Sequence, residues 1–100
     1  MKIVDPELMK KAVTVYGSDA QLFMVVEEVS ELIHALSKWR REGSLLQNKY
    51  RNWVVEELAD VLIMLNQLIY MFNINDEELD NMLDKKTKIL KERLDKHDIL

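Results

Sequence analysis

The chain has no cysteine, one proline and two glycines among its 100 residues. Without cysteine there are no disulfides and no thiolate metal sites, although this leaves the compartment open. So few breakers of regular structure leave room for few turns, which points to long helices and an all-α fold. A membrane-spanning run is also missing. The most apolar stretch, residues 61–72, is well short of the roughly 20 residues a bilayer requires, and it carries Asn66 and Gln67. The start, Met1-Lys2-Ile3-Val4-Asp5-Pro6, has no apolar run of the kind a signal peptide needs. A concentrated basic surface is absent as well: the net charge is −4, and the lysines near the C-terminus alternate with acids. Nucleic-acid binding normally needs such a surface. These absences predict a soluble, cytoplasmic protein with neither nucleic acid nor membrane as partner.

What is present is 48% hydrophobic and 32% charged, too apolar for a disordered chain. The length gives a single domain, residues 1–100, with a marginal core, so association between copies is expected. Asp5-Pro6-Glu7 reads as a helix start, with Gly17 as its stop near Tyr16. Ser18 or Asp19 is placed to cap a second helix that runs to about Arg41, followed by a loop over residues 43–49. A third helix spans about residues 50–73, and Asn75 caps a fourth whose first turn is acidic. The expected subunit is four-helix-bundle-like, with its two long middle helices antiparallel.

At about 100° per residue, Leu22, Val25, Val26, Val29, Leu32, Ile33 and Leu36 form the apolar face of the second helix. Val54, Leu58, Val61, Leu62, Leu65, Leu68, Ile69 and Phe72 form that of the third. Ile63 and Tyr70 fall opposite this core or near it. A helix apolar nearly all round is buried nearly all round, which predicts a homodimer or homotetramer.

Two acidic clusters border these faces. Glu28 and Glu31 lie on the second helix, on one edge with Gln21, Met24, Ala35 and Trp39. Glu57 and Asp60 lie on the third, on one edge with Trp53, Met64, Gln67 and Met71. A spacing of three aligns each pair on one side of its helix. Glutamate-rich stretches are ordinarily solvated surface. Here the pairs sit at core borders, and no Lys or Arg stands four residues after Glu31, Glu57 or Asp60, where Ala35, Val61 and Met64 are found. If the two helices pack antiparallel, four carboxylates meet and need a cation; oxygen ligands suit Mg²⁺, with Mn²⁺ as a substitute.

The pattern Glu28-x-x-Glu31, a spacer of residues 32–56, then Glu57-x-x-Asp60 resembles that of the MazG-like all-α nucleoside triphosphate pyrophosphohydrolases. Gln21 ahead of the first pair, the segments EEVSELIHALSKWRR and EELADVLIMLNQL, and KKTKILKER near the end are similar to that family as well. The resemblance implies that Glu28, Glu31, Glu57 and Asp60 bind Mg²⁺ and carry catalysis. It implies cleavage of a nucleoside triphosphate to monophosphate and pyrophosphate, with Gln21, Lys86 and Arg93 as substrate contacts. Related activities of the phosphoribosyl-ATP pyrophosphohydrolase and dimeric dUTPase kinds share the metal pattern. A non-catalytic helical interaction module is the alternative from a different class.

Other residues are weaker candidates. Lys86 and Arg93 are two turns apart on one side of the last helix and suit phosphate, but they also suit a core edge from which long side chains reach water. Trp39 and Trp53 favour packing over base contact. Glu31-Leu32-Ile33-His34 has the form of a di-iron ligand motif, but that chemistry needs a second copy, and the other acidic helix has Asp60 where the histidine would stand.

Overall fold

The computed structural model describes residues 4–99, and the side chains of residues 4–42 and 48–97. Three helical segments follow one another: α1 (Pro6–Tyr16), α2 (Ser18–Met71) and α3 (Asp76–Ile99). There is no strand among the described residues.

The short-range signals in the sequence account for the ends of these segments. The Asp5 carboxylate accepts hydrogen bonds from the backbone N–H groups of Glu7 (3.0 Å) and Leu8 (3.4 Å), and Pro6 opens α1. Gly17, at φ +92°, ends it in the left-handed half of backbone space that favours glycine. The expected Ser18 or Asp19 cap is not used. Gly17 occupies the cap position of α2, and Ser18 is already the first helical residue. Asn75 caps α3 through a 2.8 Å bond from the N–H of Glu78.

α2 is longer than the molecule. A straight helix of its 54 residues would be about 81 Å long, yet the greatest extent of the chain is 50 Å. Gln21 and Gln67, near its two ends, are hydrogen-bonded at 2.7 Å. The segment therefore doubles back, and its arms, residues 18–42 and 48–71, lie antiparallel. Geometrically the chain has four helices, as expected. The loop expected over residues 43–49 falls largely on residues 43–47, which lie outside the described side chains, between the two arms. Beside the reversal, the Tyr50 hydroxyl donates to Glu42 Oε2 at 2.6 Å and straps the arms together.

The seam between the arms is not the face the apolar periodicity singles out. Gln21, Val25 and Ala35 are buried on the first arm, and Tyr50, Val61, Met64 and Gln67 on the second. These are largely the border edges that carry the acids. Ala35, with 0% exposure, lets the backbones approach, and the buried Gln21–Gln67 pair fixes the register. Seven of the fifteen expected core residues are bare instead. Val26 is 63% exposed, Ile33 58%, Leu58 45% and Phe72 65%, with Leu22, Leu36 and Leu65 also exposed. α1 packs against α2 through Met9 and Val13. α3 packs against neither α1 nor α2 among the described residues, and its Met82, Leu83, Leu90 and Leu94 face solvent. Such a chain is extended, with many exposed apolar side chains.

Candidate metal centre

The acidic cluster lies midway along the seam. Glu28 comes from the first arm, Glu57 and Asp60 from the second. Were α2 straight, Glu28 and Asp60 would stand about 48 Å apart along the axis. In the folded chain one carboxylate oxygen of each of the three lies within 4.8 Å of the others, and all three side chains are half-buried. Oxygens on opposite sides of an octahedral Mg²⁺ are about 4.2 Å apart, given bonds of about 2.1 Å. Small side-chain movements would thus let one hard cation touch all three, and an all-oxygen donor set suits Mg²⁺ or Mn²⁺. This group could hold a metal ion.

The electrostatics point the same way. Burial pushes the Glu28 carboxyl above the usual carboxylate range, and Asp60, Glu57, Glu27 and Glu31 push it further in that order. Each of the charges acting on Glu28 is another carboxylate. Holding the group together therefore costs free energy that a cation would offset.

Glu57 is also oriented by its own arm. The indole N–H of Trp53, one turn earlier, donates to Glu57 Oε1 at 3.2 Å. Trp53 is held in turn: the His34 ring meets it edge-on with centroids 5.3 Å apart, and Tyr50 lies at 6.2 Å. Sequence reasoning favours packing for Trp53. The structure gives it both packing and a hydrogen bond to an acidic residue of the cluster, a contact the four-residue spacing to Glu57 could have suggested. The hydrogen bond from Tyr50 holds the Glu42 carboxyl below its ordinary value and raises the Tyr50 phenol above its own.

The other expected site residues are placed as follows. Glu31 is one turn from Glu28 but exposed, and it is not among the three converging carboxylates. A spacing of three leaves a side chain about 60° round the helix, which is enough to turn it out of the seam. Gln21 lies two turns from Glu28, buried, with its amide N–H used on Gln67. Asn66 turns its amide back onto the Leu62 carbonyl at 2.7 Å. Trp39 lines an open cavity of about 380 Å³ with Leu36, Arg51 and Val54. Lys86 and Arg93 are exposed on α3, which does not pack on the arms, so the single chain does not bring them to the acids. No helix of the described residues is long and apolar enough to cross a membrane.

Compared with known protein families, with curated proteins and with solved structures, the chain finds no match in any of the three. What stands is an all-α protein of four helices with an acidic triad able to take a metal ion.

Proposed function

We propose that the protein is a metal-dependent hydrolase that cleaves a nucleoside triphosphate to monophosphate and pyrophosphate. The observation that carries this reading is the convergence of Glu28, Glu57 and Asp60 from two distant stretches of chain. The sequence pattern around them, which resembles that of MazG-like pyrophosphohydrolases, supplies the substrate class. Glu28, Glu57 and Asp60 would hold Mg²⁺, and Glu31 would join them by turning inwards from the next turn. When bound, the ion would polarise phosphoryl oxygens and make water a better nucleophile at neutral pH.

The chain's own residues would do the remaining work. A carboxylate of the cluster takes the proton of the attacking water. Trp53 fixes the direction of Glu57 through its indole N–H. Lys86 and Arg93 bind phosphate as point charge and fork, supplied by α3 of a neighbouring subunit in a homodimer or homotetramer. Gln21 contributes to substrate binding through its carbonyl end, its N–H being committed to Gln67.

A second reading has its own observation. The bare apolar face of the arms suits a helical interaction module with no catalysis. One experiment separates the two. A panel of canonical and modified nucleoside triphosphates is incubated with the protein and Mg²⁺, and pyrophosphate and monophosphate are measured beside thermal melts with and without the metal. Turnover together with Mg²⁺ stabilisation is the expected result. Neither turnover nor stabilisation would hand the lead to the interaction module.

A further inference from the structure

Glu57 differs from the other two members of the triad in having a neutral donor aimed at it. Its Oε1 accepts a hydrogen bond from the Trp53 indole at 3.2 Å, whereas Glu28 and Asp60 have no side-chain hydrogen bond among the described residues. The donor is not free to follow the carboxylate. Trp53 is half-buried, His34 of the first arm meets its ring edge-on at 5.3 Å, and Tyr50 lies beside it at 6.2 Å. The direction of the N–H is therefore set by packing across the two arms.

We infer that Trp53 selects the ion: by holding Oε1 it makes Glu57 a one-oxygen ligand and sets the centre for Mg²⁺ or Mn²⁺ against Ca²⁺. The inference rests on the metal site of the proposed function and adds the residue that decides which divalent cation the acids accept.

The two kinds of ion ask different things of a carboxylate. Ca²⁺ takes roughly six to eight oxygens at about 2.3–2.6 Å and accepts both oxygens of one carboxylate. Mg²⁺ takes about six in near-octahedral array at roughly 2.0–2.1 Å and keeps several waters. One oxygen from each of Glu28, Glu57 and Asp60 makes three. That leaves about three octahedral positions for water and phosphate, but it is half or less of what Ca²⁺ takes. To give both oxygens to one ion, Glu57 must turn Oε1 away from the indole. A half-buried N–H left without a partner costs free energy, and the packed ring cannot swing after the carboxylate. The cost falls on the ion that needs the second oxygen and spares the one that does not. Trp53 is thus a positioning residue, and what it positions is the number of oxygens Glu57 can give.

The test uses the metals alone on the full chain, without nucleotide. Thermal melts and calorimetric titrations are run with MgCl₂ and with CaCl₂. Trp53→Phe keeps an aromatic ring against His34 and Tyr50 and loses the N–H. It should raise affinity for Ca²⁺ relative to Mg²⁺ by about five- to tenfold, the order that one hydrogen bond can contribute, with the helical signal unchanged. A role in packing alone would weaken both ions alike and leave their ratio unmoved. In a Glu57→Gln background the same substitution should move nothing, since the effect passes through the Glu57 carboxylate. Because Trp53→Phe can also loosen the seam, the intact indole is read as well. The chain has two tryptophans, so in Trp39→Phe the emission is that of Trp53. Mg²⁺ should leave its maximum in place, and Ca²⁺ should shift it as the N–H loses its carboxylate. An unmoved ion ratio in Trp53→Phe would overturn the inference while leaving the metal site standing. So would a change of equal size in the Glu57→Gln background, or equal emission responses to the two ions. Binding of neither ion by the unmodified protein would overturn the metal site and the inference together.

Discussion

The two faces of the α2 hairpin invert the usual distribution. The seam holds glutamines and carboxylates, and Gln67 at 4% exposure is more buried than any leucine on the opposite face, where Leu58 is 45% exposed. Polar groups are ordinarily the ones left in water. The difference shows that fit and pairing act beside hydrophobicity in deciding what this chain buries: Val25, Val61 and Met64 share the seam with the two glutamines. Ala35 allows close approach, the glutamines satisfy each other, and the acids sit between. The leucine-rich face keeps its large driving force unspent within the single chain. In that chain the seam is the structural device, and the apolar face is left bare.

The strongest way to break the comparison is at the acids. Asp60→Ala should abolish Mg²⁺-dependent pyrophosphate release while the helical signal and the oligomer remain, because Asp60 belongs to the triad and to no apolar stripe. Glu27→Ala, at an exposed position outside the triad, should leave release near normal. Near-normal release by Asp60→Ala would remove the site from the seam.

Next comes the seam's closest approach. Ala35→Leu places three extra carbons where exposure is 0%, and overpacking of this kind costs about 1–3 kcal/mol. The midpoint of thermal unfolding should fall by several degrees. Enlarging a side chain on the bare face instead, by Val26→Leu, should leave the midpoint almost unmoved. Equal effects at both positions would mean that the two faces are not packed differently at all.

The glutamine pair gives a subtler contrast. Gln67→Leu leaves the buried Gln21 amide without its 2.7 Å partner, which costs about 1–3 kcal/mol. Replacing both by leucine should recover most of that loss, since no polar group is then stranded. Denaturant unfolding of the two single variants and the double variant measures it. If the double variant is as unstable as the sum of the singles, the pair is not acting as a unit.

How much of this the sequence discloses depends on how local each signal is. The Asp5-Pro6 start, the Gly17 stop and the Asn75 cap are written within a few residues, and the structure follows them. The helical class and the antiparallel arms are equally legible. The choice of seam is not. Periodicity identifies the most apolar face of each arm but carries no information about whether that face meets its own chain or another. The carboxylate group is legible in three of its four members because the spacing aligns each pair roughly; the remaining angle, which sends Glu31 outwards, depends on how the arms rotate against each other.

The smallest expected effect sharpens the comparison from the electrostatic side. Glu28 holds its proton more tightly in the folded chain than the ordinary value of 4.5, because of burial first and the neighbouring carboxylates second. A raised folded value means that the folded state binds more protons than the unfolded one between 4.5 and that raised value. Stability of the metal-free protein should therefore increase as pH falls through this window, and at neutral pH the ionised Glu28 is a net burden. Glu28→Gln removes the charge with little change of shape. In the absence of metal it should raise the midpoint of thermal unfolding slightly at pH 7 and flatten its rise on acidification. Adding Mg²⁺ should stabilise the unmodified protein more than the variant, because the ion meets three carboxylates in one and two in the other. Glu42 supplies the opposite sign as an internal control. Its value is lowered by the Tyr50 hydroxyl, so Tyr50→Phe should lose stability above pH 4.5, and that loss should shrink as the pH falls below it. Melts of the unmodified protein and both variants across pH, with and without Mg²⁺, would show the two slopes. A Glu28→Gln variant that is less stable than the parent at pH 7 without metal would mean that Glu28 has a cationic partner in solution, and that the seam was never short of positive charge.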